Sequence, residues 1–380
     1  MILFYCLSNL NPQGGVDIVT FAKVNALCEI ADNQIWLAIT ENPDTLPLPL
    51  SPKVHLVDLG IRYNDNHSSF PWNLLVVLRK RHRHKKALAL LLKEVRPDIV
   101  VSISNDVSFL PSIKGSWKIL REQHGTKKWD GTPTPSFGLK KLVYQVASIR
   151  ERRILQKKAD RIVVLTQGQK DFAWPNNERV VVIPNPTRLH VESSSLLNDK
   201  RAIAVGRLSF EKNFSSLVRV WSRVAASFPE WRLDIYGEGG EYSLIKKTIE
   251  KENLVGIVSL KGWSSHLEKE LLSSSLFVQT SKYESFSLAI LEACCCGLPI
   301  VAYDCPWGPR SIVKDGENGY LVSPEDEAAM ADRICRLIED SSLRKRMGAS
   351  AFETSKQYGM DRIVSRWMAL FEELCQEKDR

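Results

Sequence analysis

Short apolar runs alternate with longer amphipathic stretches along the whole chain. In the first half, the runs that predict strands are Ile2–Leu7, Gln34–Thr40, Val54–Leu59, Asp98–Ser104, Lys118–Gln123, Arg161–Leu165 and Val180–Ile183. In the second half they are Arg201–Val205, Arg232–Tyr236, Val258–Leu260, Leu276–Thr280, Pro299–Tyr303 and Tyr320–Val322. Many are unbroken apolar runs, the pattern of strands covered on both faces. Helical patterns fill most of the intervals: Val16–Ala31, Phe70–Val95, Gly138–Lys158, Phe214–Ser227, Ser287–Cys296 and Glu325–Ile338. Strand and helix in alternation predict an α/β protein with parallel, doubly wound sheets.

The series stops once and restarts. Ile183-Pro184-Asn185-Pro186 closes the first set, the polar stretch Glu192–Lys200 follows, and a new strand begins at Arg201. Two Rossmann-like domains are expected, the first covering residues 1–186. Open α/β sheets take ligands beyond the carboxyl ends of their strands. Two such sheets facing each other would form an interdomain cleft suited to a small molecule.

Composition narrows the class. A chain of 380 residues with 44% hydrophobic and 25% charged positions reads as a globular protein of two ordinary domains. No apolar run approaches the ~20 residues that span a bilayer. The opening Met1–Leu7 runs into Asn9 and Asn11 without a basic leader, and reads as a buried strand rather than a signal peptide. The eight cysteines fit no zinc spacing, since Cys294-Cys295-Cys296 are contiguous on a predicted helix. They read as small buried residues in a reducing cytoplasm.

Charge is unevenly placed. Residues 1–186 hold 26 basic and 16 acidic side chains, and the rest of the chain 26 and 28. The net +8 therefore belongs to the first half, which implies an anionic partner there. Its densest part is Arg79-Lys80-Arg81-His82-Arg83-His84-Lys85-Lys86, within a helical stretch and preceded by Trp72 and Leu74–Leu78. A basic helix with an apolar shoulder suits an anionic lipid surface, with Arg79, Lys80, Arg81, Arg83, Lys85 and Lys86 as the contacting cations. A solvated face and nucleic-acid binding are the other readings of such a run. No nucleic-acid fold signature accompanies it, so no nucleic-acid partner is expected.

Four further segments carry candidate chemistry. In Val205-Gly206-Arg207-Leu208-Ser209-Phe210-Glu211-Lys212-Asn213, a strand ends at a glycine and two cations precede a helix. Paired cations there suit a diphosphate whose charge grows as it leaves; a solvated loop is the alternative. Thr280–Glu292 spans a strand, loop and helix start. Ser285 or Ser287 caps that helix, free amides at its start suit an anion, and Glu284 lies in the loop. Glu292 lies deeper in an apolar helix, where sugar hydroxyls would be a natural partner, unless it is a partly exposed helix glutamate. Asn11-Pro12-Gln13-Gly14-Gly15 follows the first strand; adjacent glycines let backbone approach a phosphate or sugar, although an ordinary strand-to-helix turn looks the same. Arg121-Glu122-Gln123-His124-Gly125 ends a first-domain strand, with His124 expected to face the cleft or to be structural.

Together these segments resemble the retaining glycosyltransferases of family four, which have the GT-B fold. The resemblance rests on Glu284, seven residues and Glu292, in the setting Tyr-Glu-Ser-Phe-Ser-Leu-Ala-Ile-Leu-Glu-Ala…Gly-Leu-Pro-Ile-Val-Ala. The Gly-Arg…Glu-Lys-Asn segment, Ile183-Pro184-Asn185-Pro186 and Asp315-Gly316-Glu317-Asn318-Gly319-Tyr320-Leu321-Val322 match as well. It implies that Arg207 and Lys212 grip a donor diphosphate and that Glu284 binds the donor sugar. Amides at Phe286, Ser287 and Leu288 would hold phosphate or sugar oxygens, and Glu292 the ribose. Gly14 and Gly15 would line the phosphate and acceptor side. His124 would sit by the reacting carbon, and Gly237, Gly262 and Trp263 near the base. Residues 187–360 would bind the nucleotide sugar, and 361–380, a helix from about Asp361 to Cys375, would cross back to the first domain.

Two positions depart from the pattern: Val16-Asp17 follows the double glycine where many relatives carry a glutamate two positions on, and Ser311 follows Gly308-Pro309-Arg310 where a galactose-type subgroup has glutamate. The expected reaction moves a hexose or N-acetylhexosamine, with retention, from a nucleotide diphosphate sugar, UDP-linked by preference. The expected acceptor is a lipid-linked oligosaccharide of bacterial polysaccharide assembly (lipopolysaccharide O-antigen, capsule or exopolysaccharide), at the inner face of the cytoplasmic membrane. No Asp-x-Asp motif stands at a strand end, so no metal or other cofactor is expected beyond the nucleotide sugar as co-substrate. A nucleotide-sugar epimerase of the same fold and a nucleic-acid-binding protein are the competing classes.

Overall fold

The structure is a computed structural model. It describes residues 1–7, 10, 14–30, 32–41, 46–63, 72–103 (side chains from 75), 107–125, 153–154, 157–189 and 191–377. The expected helix at 138–158 and the segment 11–13 lie almost wholly outside the described residues. The chain divides into two compact units. The first comprises Met1–Leu165, Lys170–Ile183 and Met360–Arg380; the second comprises Thr166–Gln169 and Pro184–Gly359. The division thus falls after residue 183 rather than 186, and Met360 goes with the first unit.

The first unit is built on a parallel sheet in the order β3-β2-β1-β4-β5-β6-β7. Its strands are β1 (Ile2–Cys6), β2 (Gln34–Ile39), β3 (Val54–Asp58), β4 (Ile99–Ser102), β5 (Lys118–Gln123), β6 (Arg161–Val164) and β7 (Val180–Val182). The second is built on β10-β9-β8-β11-β12-β13, also parallel. These are β8 (Arg201–Val205), β9 (Arg232–Tyr236), β10 (Val258–Gly262), β11 (Leu276–Gln279), β12 (Ile300–Tyr303) and β13 (Gly319–Val322). The apolar runs predicted all thirteen strands; the central ones, such as β1, β4 and β11, are buried almost throughout and need apolar residues on both faces.

Helices were less legible. In the first unit α1 (Gly15–Leu27), α2 (Trp72–Val95) and α3 (Gln167–Ala173) precede the second unit's α4 (Phe214–Ser227), α5 (Tyr242–Lys251), α6 (Leu267–Leu272), α7 (Leu288–Cys295), α8 (Pro309–Ile312), α9 (Glu327–Glu339) and α10 (Ser341–Ser355). Part of α3 belongs to the second unit. The sequence reading passed over α3, α5, α6, α8 and α10. Most are short, and α10 carries its charges around a weakly amphipathic surface. Asp340 marks its start all the same, accepting a hydrogen bond from the Leu343 amide at 2.8 Å.

The last helix, α11 (Met360–Gln376), joins the first unit. Ile363, Val364, Trp367, Leu370, Phe371 and Leu374 repeat at helical spacing, and all are buried in the core against β1, β2 and α1. Arg161 of β6 pairs with Glu373 at 2.6 Å and also reaches Glu377. Apolar area therefore holds this helix, since a partly exposed ion pair contributes on the order of 1 kcal/mol or less. Phe371→Ala should lower stability in a denaturant titration by about 3–5 kcal/mol. Glu372→Ala, at an exposed position, should stay within about 0.5 kcal/mol.

Candidate functional site

In an open sheet of this order, the strands that start off in opposite directions from the centre leave a crevice at their carboxyl ends. In the second unit those strands are β8 and β11, which pair directly. The segments singled out from sequence, Gly206–Lys212 and Thr280–Ser287, follow these two strands. They are knitted together: the Lys282 amide donates to the Glu211 carbonyl at 2.7 Å, and Thr280 Oγ1 to the Asn213 carbonyl at 3.1 Å.

Across this crevice Lys212 Nζ meets Glu284 Oε1 at 2.5 Å, and Ser281 Oγ donates to the same oxygen at 2.9 Å. Both side chains are largely buried. Arg207 is exposed. Burial raises the Glu211 carboxyl, but the Ser209 hydroxyl and the charges of Arg207 and Lys212 outweigh it and hold the carboxyl below its ordinary value. The crevice therefore sets two cations, Arg207 and Lys212, against two carboxylates, Glu211 and Glu284. Glu284 is itself fixed by the loop after β12: its amide donates to the Pro306 carbonyl at 3.1 Å, and its carbonyl accepts from Trp307 and Gly308 at 2.7 and 2.9 Å.

The neighbouring strand ends close on the same place. The Gly206 amide donates to Tyr236 at 3.0 Å, the Leu208 amide to Glu238 at 2.8 Å, and the Gly237 amide to Gly262 at 2.8 Å. Gly237 has φ +135°, and a Cβ there would lie 1.9 Å from the Gly206 carbonyl oxygen. Only glycine permits that approach. Trp263, next in line, is exposed.

Ser287 caps α7, its Oγ accepting from the Ile290 amide at 3.3 Å and donating to Gln279 at 2.8 Å. Phe286 is buried with its ring centroid 5.7 Å from that of Tyr358. Leu288 opens the helix, where amides lack intrahelical acceptors. Glu292 is 8% exposed and does have a protein partner: Arg188 Nε donates to its Oε1 at 2.7 Å. The sequence reading missed Arg188, because nothing local in a linker points to a carboxylate 104 positions away. Each glutamate commits Oε1 to a cation.

Other segments prove structural. Asn318 is fully buried, with Nδ2 on the Ile312 carbonyl and Thr354 Oγ1, both at 3.0 Å, so Asp315–Val322 builds the entry to β13. Ser311 donates back to the Gly308 carbonyl. Cys294, Cys295 and Cys296 are buried, and burial pushes their thiols up. Among the described residues no group of three or more His, Cys, Asp or Glu is arranged to hold a metal ion.

In the first unit Gly14 caps α1 with ordinary extended backbone, φ −77° and ψ 123°, and Gly15 is its first, exposed residue. His124 follows β5; its side chain is 8% exposed and its Nε2 lies 3.1 Å from Glu122 Oε1. The basic run lies on α2 but divides between two roles. Arg79, His82, Arg83 and Lys86 are exposed, on one side with exposed Leu75, Leu78 and Leu90. Lys80 reaches the Arg62 carbonyl at 2.5 Å, Arg81 turns onto Ser108, and His84 is buried. Lys85 is half-buried. Lys80 and Arg81 are thus held by their own domain rather than offered with the other cations, because an eight-residue run must pass right round a helix.

Gly237→Ala should destabilise the protein by at least about 1–3 kcal/mol in a denaturant titration, the cost of a forbidden backbone conformation. Gly240→Ala, where an added Cβ meets nothing within 4 Å, should leave stability unchanged.

Residues 187–354 match the family model described as glycosyl transferases group 1. The chain is similar to the amylovoran biosynthesis glycosyltransferase AmsD of Erwinia amylovora, 31% identical over 55% of this chain and 61% of that protein. It is similar to the poly(glycerol-phosphate) alpha-glucosyltransferase of Bacillus subtilis, 33% identical over 48% of this chain and 27% of that protein. The chain thus spans less than two thirds of the length of these relatives. Among solved structures it resembles a Staphylococcus aureus TarM mutant in complex with fondaparinux, alpha-GlcNAc-glycerol and UDP, at 18% identity. That match has a TM-score of 0.74 and covers 97% of this chain and 99% of that one. The sucrose-phosphate synthase of Thermosynechococcus elongatus gives a TM-score of 0.81 at 17% identity, covering 98% of each chain. The likeness to these structures shows the GT-B fold.

Proposed function

We propose that the protein is a retaining glycosyltransferase of family four that moves a hexose or N-acetylhexosamine from a UDP-sugar to a lipid-linked glycan in bacterial polysaccharide assembly. The observation that carries this reading is the Lys212–Glu284 pair, set between β8 and β11 at the strand-order reversal of a group 1 domain. A cation suited to phosphate and a carboxylate suited to sugar hydroxyls stand there in contact, with Arg207 beside them. A nucleotide diphosphate sugar offers both partners in one molecule. Its diphosphate takes Lys212 and Arg207, its sugar takes Glu284, and its ribose takes Glu292, whose Oε1 Arg188 holds. Amides of Phe286, Ser287 and Leu288 add donors at the start of α7. Gly237, Gly262 and Trp263 receive the base, and Gly14 and Gly15 the acceptor side.

In this reading the two cations neutralise the leaving diphosphate without a metal. Retention follows when the acceptor attacks from the face the diphosphate leaves, with the departing phosphate taking the acceptor proton. His124 is a further catalytic group in this reading. UDP as the leaving nucleotide is favoured because structures of the same fold are solved with UDP, among them HepE of Anabaena (TM-score 0.75).

The exposed side of α2 is the membrane contact. Leu75 and Leu78 enter the lipid boundary, while Arg79, Arg83 and Lys86 meet anionic headgroups, each worth on the order of 1 kcal/mol. Among the described residues no helix is long and apolar enough to cross a membrane.

Lys212→Ala and Glu284→Ala should each reduce turnover of the true donor on the order of 10²–10³-fold, as for other lost transition-state contacts. Full turnover in either variant would refute the assignment. Replacing Arg79, Arg83 and Lys86 with glutamine should abolish sedimentation with vesicles rich in phosphatidylglycerol, and unchanged sedimentation would refute the membrane contact.

A further inference from the structure

The first unit contains a buried ion pair that the proposed reaction leaves unused. Lys23 of α1 and Glu122 of β5 are each 1% exposed. Lys23 Nζ donates to both carboxylate oxygens, at 2.6 and 2.5 Å. The same ammonium stands 4.0 Å from the ring centroid of Trp367, on α11, and 5.5 Å from that of Tyr5, on β1. His124 Nε2 approaches Glu122 Oε1 to 3.1 Å, off the axis of a straight hydrogen bond.

Such a pair is a poor way to hold α1 against β5. Removing two charges from water offsets most of their attraction, and apolar residues of the same volume would serve stability as well. What apolar residues cannot do is fix a charge beside an imidazole. Positions 122 and 124 alternate to the same face of the strand, so the carboxylate lies under the ring. Burial pushes that carboxyl up, and the Lys23 and His124 charges outweigh it and hold it well below the carboxylate range.

We infer that Glu122 and Lys23 are positioning residues for His124. Glu122 places a carboxylate oxygen 3.1 Å from Nε2 and so orients the ring, while Lys23, held under Trp367, keeps Glu122 ionised and in place. The inference rests on the reading of His124 as a reaction-side group. It also gives α11 a part in the chemistry, since its tryptophan covers the lysine.

Tyr5 from β1 stays neutral, its phenol raised by burial and by Glu122. Arg121 points to the opposite face, onto Ser102 of β4 at 3.1 Å.

The test follows the seven histidines of the full chain by NMR after labelling with 13C-histidine, with His124→Ala identifying the relevant signal. In parallel, UDP release from UDP-glucose and UDP-N-acetylglucosamine gives kcat and KM. The His124 signal should move in Glu122→Gln and in Lys23→Met. In both, kcat should fall at least about tenfold with the donor KM unchanged, as for a group acting only in the transition state. If Lys23→Met does not fold, Lys23→Met/Glu122→Leu replaces the pair with an apolar one. It should fold and lose kcat. Undiminished kcat in every folded variant would overturn the inference. Full turnover in His124→Ala would instead overturn the reading of His124 on which it rests.

Discussion

Lys212 and Glu284 are 72 positions apart in the chain and 2.5 Å apart in space. What joins them is the order of a parallel sheet. β8 opens the second set of strands, the next two strands build outwards on one side, and β11 returns to pair with β8 on the other. Only at that reversal do the loops of two strands share a crevice uncovered by a crossover helix. The rest of the second unit supports this contact. Gly237 lets one loop lie against another, Pro306 and Gly308 hold the Glu284 backbone, and Ser287 fixes the start of α7.

The pairing is also a constraint on any ligand. Lys212 and Glu284 satisfy each other, and so do Arg188 and Glu292. A molecule that took only the cation would leave a carboxylate in a largely buried setting without its partner, which is costly. A molecule with an anionic middle and a hydroxylated end replaces both halves at once. In the proposed reading the crevice discriminates by requiring two chemistries in one ligand.

The strands and the two loops that meet at the reversal were legible because their signals are local. An unbroken apolar run marks a two-sided strand, and Ser287 with Gly297 brackets a helix within eleven positions. What escaped was long-range. Arg188 has no signal of its own near Glu292, and Lys23 looks like one more surface lysine until α11 covers it. The basic run of α2 misled for a related reason. Sequence counts charges along the chain, whereas a helix distributes them round its axis, so Lys80 and Arg81 turn inward while Arg79 and Arg83 do not. The short helices α3, α6 and α8 were passed over because four to seven residues do not establish a period.

The central claim is that the second unit recognises a nucleotide diphosphate sugar through the Lys212–Glu284 crevice. Thermal unfolding of the full chain against a panel of UDP- and GDP-sugars tests it most directly. A ligand at a hundredfold excess over its Kd stabilises the protein by about 2.7 kcal/mol. The account predicts that at least one UDP-sugar raises the melting temperature, that UDP or free sugar alone raises it less, and that Lys212→Ala abolishes the rise. No shift with any nucleotide sugar, or an undiminished shift in Lys212→Ala, would contradict it.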